Sequence, residues 1–193
     1  MRNIVLASTS ERKKRLFSLL GLPFKTVDHK YDEDGVIDVG VEKLVVEIAK
    51  GKVNSIRDLY PDSIVIGLDT VVHYDNVIMG KPKNIEDALV MLQKLNGTVH
   101  QVMTGLYILD TKNDRDFSEV VVTKMYFKKL GKDQLINYIK KEDVLGVAGA
   151  YNHEELGCVL LDKIDGDYYN SIGIPISRIA DILQKFDINI LNK

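Results

Sequence analysis

Strands and amphipathic helices alternate along these 193 residues, and that alternation predicts a fold of the α/β class. Four stretches carry the reading. Ile64 to Leu68 is a continuous apolar run with β-branched residues, as expected of a strand buried on both faces. Val41 to Ile56 repeats apolar side chains at helical spacing, and Val99 to Leu109 and Phe117 to Phe127 read as two long strands about a polar turn. Composition agrees with one folded unit over 1–193: 45% hydrophobic, 28% charged and a formal net charge of -2. That balance gives no general affinity for nucleic-acid polymers or membranes, so any anion site must be local.

In chain order, Asn3 to Ala7 is a short buried strand, and the next helix presents Leu16, Phe17 and Leu20 before Gly21 and Pro23 stop it. Between them lies Ser8-Thr9-Ser10-Glu11-Arg12-Lys13. Cations in a first helical turn oppose the helix dipole, so Arg12 and Lys13 suit an anionic partner; alternatively Ser8 or Ser10 is a simple N-cap and the basic pair a solvated face. Phe24 to Val27 forms a further strand, followed by the acidic run Tyr31-Asp32-Glu33-Asp34, a type of cluster that suits Mg²⁺ or Mn²⁺ when it is more than solvated charge. On the Val41–Ile56 helix, Lys52 falls on the apolar stripe and Gly51 beside it hints at close backbone approach.

Asp69 ends the apolar run and Thr70 follows it. A carboxylate there is costly unless compensated. Its same-face neighbour is Gly67, which leaves space for a ligand or a metal; the other reading is a structural ion pair with Lys81, beyond a hairpin of Val71-Val72 and Val77-Ile78-Met79. Asn84 caps a helix with an Ile85, Ala88, Leu89, Leu92, Leu95 stripe. His100 and Thr104 lie on the first long strand, where a lone histidine is more often packed or exposed than a ligand. Gln134 to Lys141 forms a short helix, and Val147 to Gly157 a loop with small residues before an aromatic, a shape suited to backbone contact with a flat ligand. Gly157 to Ile164 reads as a strand containing the single cysteine, Cys158, as a buried residue; Gly166 to Asn170 reads as a turn. Gly173-Ile174-Pro175 opens a final helix along Ile176, Ile179, Ala180, Leu183 and Phe186. A lone cysteine, an N-terminal apolar run too short for a signal peptide, and no span long enough for a bilayer read as cytoplasmic.

Six motifs in order resemble the Maf family of nucleoside triphosphate pyrophosphatases. They are Ala7-Ser8-Thr9-Ser10-Glu11-Arg12-Lys13, Leu68-Asp69-Thr70-Val71-Val72, Gly80-Lys81-Pro82, Leu95 to Thr104 with His100, Ala148-Gly149-Ala150-Tyr151, and Gly173-Ile174-Pro175. The resemblance implies an inosine triphosphatase-like fold: an elongated mixed β-sheet flanked by helices, with two lobes and a central cleft. It also implies hydrolysis of the α-β phosphoanhydride of dTTP, UTP or modified nucleotides to the monophosphate and pyrophosphate, as a house-cleaning activity, with a divalent cation and commonly as a homodimer. By similarity, Asp69 is the proton acceptor, Glu33 and Asp69 hold the metal, and Ser8, Arg12, Lys13, Lys52 and Lys81 surround the triphosphate.

The chain departs from the family pattern at Glu11, where proline is usual, at Val147, where lysine is usual, and at Glu154, where dTTP/UTP-type relatives carry glutamine. With Arg12 and Thr70, the Glu154 position is associated with base choice. A carboxylate only accepts hydrogen bonds and therefore suits a base edge rich in N–H donors, which keeps 7-methyl-GTP as an alternative substrate. A nucleotide-binding regulator of septum formation is the other alternative.

Overall fold

The computed structural model describes residues 2–33 and 40–191; Asp34 of the acidic run lies outside them. The strands are β1 (Asn3–Ala7), β2 (Lys25–Val27), β3 (Ser63–Tyr74), β4 (Val77–Met79), β5 (Val99–Asp110), β6 (Arg115–Phe127) and β7 (Leu161–Asp165). The helices are α1 (Glu11–Phe17), α2 (Val41–Asn54), α3 (Ile85–Leu95), α4 (Lys132–Ile139), α5 (Tyr168–Ser171) and α6 (Ile176–Gln184). Among the described residues the strands form one sheet in the order β2-β1-β3-β5-β6-β7, with β4 paired to β3. β1 runs parallel to β2 and β3, while β4 and β7 run antiparallel to their neighbours. The mixed sheet flanked by helices is therefore as expected.

Two compact units share these strands. The first comprises Met1–Thr70, Thr104–Val121 and Gly173–Lys193. Its sheet packs on α2 through Val5, Ala7, Ala49, Val53, Ile56, Val65, Tyr107 and Leu109. Two glycines set how closely that helix lies. A Cβ on Gly67 would stand 2.3 Å from the Ala49 carbonyl oxygen, and one on Gly105 would stand 2.2 Å from the Val45 backbone. The space beside Asp69, which the sequence left open for a ligand, is thus filled by α2.

The second unit comprises Val71–Met103 and Val122–Ile172. Its core gathers Val72, Leu92, Leu95, Val102, Met125, Phe127, Leu135 and Tyr138. Tyr151 is buried here too, and its hydroxyl lies 2.8 Å from His100 Nε2. Ala150 and Tyr151 are both part of this unit's core.

Other departures have local causes. The segment expected to begin a strand at Gly157 instead turns as a 3₁₀ helix over Leu156–Leu160 before β7. Local bonds win there: Glu155 N–H donates to the Asn152 carbonyl at 3.2 Å and Cys158 N–H to that of Glu155 at 3.1 Å. Cys158 is consequently exposed. Gly166 to Asn170 becomes a helical turn because Asp167 caps α5, accepting from Asn170 N–H at 3.0 Å. Asn84 caps α3 as expected, accepting from Asp87 N–H at 2.8 Å, but Ile85 beside the cap is exposed. In α6, Ile182 joins the buried stripe in place of the half-buried Ala180.

Candidate functional site

In the first unit, β3 carries Asp69 on the face against α2. Because Gly67 admits the helix backbone, Lys52, three residues beyond Ala49, is delivered to that carboxylate. Lys52 Nζ lies 2.8 Å from Asp69 Oδ1, 3.0 Å from Glu33 Oε1 and 3.4 Å from the Leu68 carbonyl oxygen. The inward lysine is buried at 5% exposure, and it clamps two carboxylates. The buried ion pair anticipated for Asp69 thus forms with Lys52, where spacing had suggested Lys81.

The segment bearing Glu33 is tied to the same helix. A Cβ on Gly51 would fall 2.2 Å from the Tyr31 ring, so the glycine seats that ring on α2. Ser55 Oγ donates to the His29 carbonyl. His29 itself, which no sequence pattern marked, places Nε2 3.7 Å from Glu33 Oε1. Its Nδ1 accepts from Tyr31 N–H at 3.1 Å, which leaves the ring proton of the neutral form on Nε2. Burial, and then the Lys52 charge, hold its pKa below the usual histidine value.

β1 and α1 bring the remaining groups of this unit. Ala7 is in register with Gly67, so the chain leaves β1 beside the residues that lead to Asp69. Ser8 is buried and its Oγ accepts from Ser10 N–H at 3.2 Å; Ser10, not Ser8, caps α1. Lys13 turns back from α1 and donates to the Leu68 carbonyl at 3.3 Å. Two ammonium groups thus meet one carbonyl oxygen. Burial, together with repulsion from Lys52, lowers the Lys13 pKa to about 8. Arg12 is half-buried on α1. Thr70 Oγ1 lies 2.8 Å from Thr104 Oγ1 and 3.2 Å from the Gly173 carbonyl, to which it donates. Gly173 has φ +102, a conformation that favours glycine.

Lys81 and Glu154 belong to the second unit. Lys81 is exposed and follows Gly80, whose carbonyl accepts from Gly149 N–H at 3.0 Å. Glu154 is half-buried, with its N–H on Asn152 Oδ1 at 3.3 Å. The neighbouring His153 has Nε2 2.8 Å from Ser171 Oγ, a pairing that sequence spacing did not suggest.

Glu33 and Asp69 offer hard oxygen ligands beside one another, each with a second carboxylate oxygen beyond the one on Lys52. Mg²⁺ is typically bound by one or two carboxylates completed by substrate phosphates, so this donor pair fits such an ion. Among the described residues no group of three or more His, Cys, Asp or Glu forms a metal site by itself.

The fold and this arrangement define a protein class, and the family comparison names it. The sequence pattern of the Maf-like proteins matches residues 3–186, and the chain belongs to that family. A dTTP/UTP pyrophosphatase of Thermosipho melanesiensis is 41% identical over 181 residues, covering 94% of this chain and 96% of the relative. Another so named, from Thermoanaerobacter sp. strain X514, is 38% identical over 190 residues, covering 97% of this chain and 99% of the relative. The solved Staphylococcus aureus Ham1 protein is 15% identical with a TM-score of 0.47, over 65% of this chain and 72% of that one, a likeness too slight to carry an inference.

Proposed function

We propose that the protein is a nucleoside triphosphate pyrophosphatase that cuts dTTP, UTP or related nucleotides between the α and β phosphates. The observation that carries this reading is Asp69, a buried carboxylate fixed by Lys52 on one oxygen, in a chain of the Maf-like family. Asp69 takes the proton of the attacking water. Ser8, Arg12, Lys13, Lys52 and Lys81 supply the polar and cationic groups that offset charge on the phosphoryl oxygens, where electrostatic stabilisation does most of the catalytic work. Glu33 and Asp69 would hold a divalent cation, which would supply further neutralisation of the triphosphate. Arg12, Thr70 and Glu154 choose the base. No helix of the described residues is long and apolar enough to cross a membrane, and we place the enzyme in the cytoplasm as a homodimer.

Glu154 favours a second reading, turnover of 7-methyl-GTP, because a carboxylate suits the N–H-rich edge of guanine. One assay separates these possibilities. Pyrophosphate release is measured from dTTP, UTP, CTP, GTP and 7-methyl-GTP with Mg²⁺ or Mn²⁺, for the wild type and Asp69→Asn. Release from dTTP or UTP, abolished in the variant, is expected. Release confined to 7-methyl-GTP selects the second reading, and binding without release from any nucleotide selects a regulator.

A further inference from the structure

The two lysines that meet at the Leu68 carbonyl are not equivalent, and counting their donors separates them. An ammonium has three N–H groups. Lys52 donates to Leu68 O at 3.4 Å and to Asp69 Oδ1 at 2.8 Å, and forms an ion pair with Glu33 Oε1 at 3.0 Å. Its charge is committed to two carboxylates of the protein. The Lys13 ammonium donates to Leu68 O at 3.3 Å, and among the described residues that is the ammonium's one hydrogen bond. Two of its donors remain available beside the same carbonyl, next in sequence to Asp69.

We propose that Lys13 is the catalytic lysine of this pair, giving its proton to the departing pyrophosphate oxygen, while Lys52 is a positioning residue that acts through Asp69 and Glu33. This division rests on the pyrophosphatase reading above. The proton balance closes within the site. Water oxygen bonds to the α-phosphorus and its proton passes to Asp69. As the bond from the α-phosphorus to the bridging oxygen breaks, that oxygen keeps the electron pair and takes a proton from Lys13. Neutral Lys13 then recovers a proton from solvent as Asp69 returns one.

The surroundings suit an acid of this kind. Lys13 is faced by Lys52 from α2, Asp69 from β3, and Glu33 and His29 from the segment before α2. Burial, and then the like charge of Lys52, bring the Lys13 pKa to about 8, close to neutral operating conditions, where general acids are most effective. An ordinary lysine would release its proton much less readily.

Arginine substitution provides the test, because a guanidinium keeps the positive charge and cannot act as the acid. In Lys13→Arg, kcat for dTTP should fall by about 100-fold or more with KM little changed, and the fall of wild-type kcat/KM above pH about 8 should disappear. The loss should be smaller for a dTTP analogue whose β,γ-difluoromethylene bridge makes the leaving group more acidic. Lys13→Gln should behave likewise with a higher KM, and thermal melts of both variants establish that they fold. Lys13→Arg with wild-type kcat, or with equal losses on both substrates, overturns the acid role. For Lys52, the readout is Mn²⁺ binding followed by electron paramagnetic resonance without nucleotide. Lys52→Gln should weaken it and Lys52→Arg restore part of it; unchanged binding in Lys52→Gln overturns the positioning role. Absence of pyrophosphate release by the wild type would instead sink the underlying reading.

Discussion

Two buried aspartates in the first unit, each paired with a cation, differ in how completely the protein satisfies them. Asp110, at the end of β5 and 2% exposed, accepts five hydrogen bonds. Arg2 grips both its oxygens, Asn113 reaches Oδ2 through its side chain at 2.8 Å, and the Lys112 and Asn113 backbone N–H groups close on Oδ1 at 3.0 and 3.1 Å. Among the described residues Asp69, 8% exposed, has Lys52 on Oδ1 as its one hydrogen-bond partner. A carboxylate with every lone pair engaged is a structural clasp, because it has no capacity left for a reactant. One that is fixed at a single oxygen is oriented yet able to accept a proton or a metal.

The sharpest way to break this contrast is to remove each charge in turn. Asp69→Asn should lower kcat by about 10²–10⁴-fold, the usual contribution of a positioned acid or base, while the thermal midpoint stays near that of the wild type because Lys52 keeps Glu33. Asp110→Asn should do the opposite. Breaking a buried pair costs about 3 kcal/mol, a fall in midpoint of roughly 6–12 °C for a chain of this size, with kcat per folded molecule unchanged. If Asp110→Asn destroyed activity at a temperature where the variant is folded, or Asp69→Asn unfolded the protein, the distinction would fail. Acid sharpens it further. The Arg2 guanidinium, the largest cause, holds Asp110 well below the ordinary carboxylate range. The stability it contributes is complete above the unfolded value of 3.8 and is lost as pH falls toward the folded value. Asp110→Asn should flatten the acid limb of a stability profile, which chemical denaturation at stepped pH would measure.

A smaller effect tests how Asp69 acquires its partner. Gly67→Ala would drive a methyl group to 2.3 Å from the Ala49 carbonyl and push α2 away from β3. Overpacking of this kind costs about 1–3 kcal/mol, and since Lys52 rides on that helix, activity should fall with stability. Gly146→Ala, where a Cβ meets nothing within 4 Å, is the control. Loss of stability without loss of activity would show that Asp69 does not depend on the seating of α2.

Much of this was legible in the sequence, for identifiable reasons. Helical spacing exposed Lys52 as an inward lysine, and the apolar run of β3 made Asp69 conspicuous, since a charge in such a run demands compensation. What joined them was not legible. Gly67 read as empty space beside the carboxylate, because a missing side chain does not reveal whether a ligand or a neighbouring backbone fills the gap. His29 and Ser55 engage the segment before α2 through non-local contacts that carry no periodicity. Cys158 looked buried because its neighbours are apolar, whereas i→i+3 hydrogen bonds from Asn152 onward turned that segment out of the sheet. Arg2 and Asp110, 108 residues apart, gave no sign of their pairing.

The least conspicuous expectation concerns Lys13, and it separates a group held ready for an anion from one already satisfied. Burial, the larger cause, and Lys52 lower its pKa from 10.5 to about 8. Between those values the unfolded chain retains a proton that the folded protein has released, so stability without ligand should rise modestly as pH increases from about 8 to 10.5. The increment should vanish in Lys13→Gln. It should also shrink when inorganic triphosphate is present, because an anion beside the ammonium raises its pKa and draws a proton onto the folded protein. Calorimetry at pH 8 in two buffers of different ionisation enthalpy would register that uptake on binding. Equal heats in both buffers, together with an unaltered stability profile, would mean that Lys13 meets no phosphate and belongs with the satisfied groups typified by Asp110.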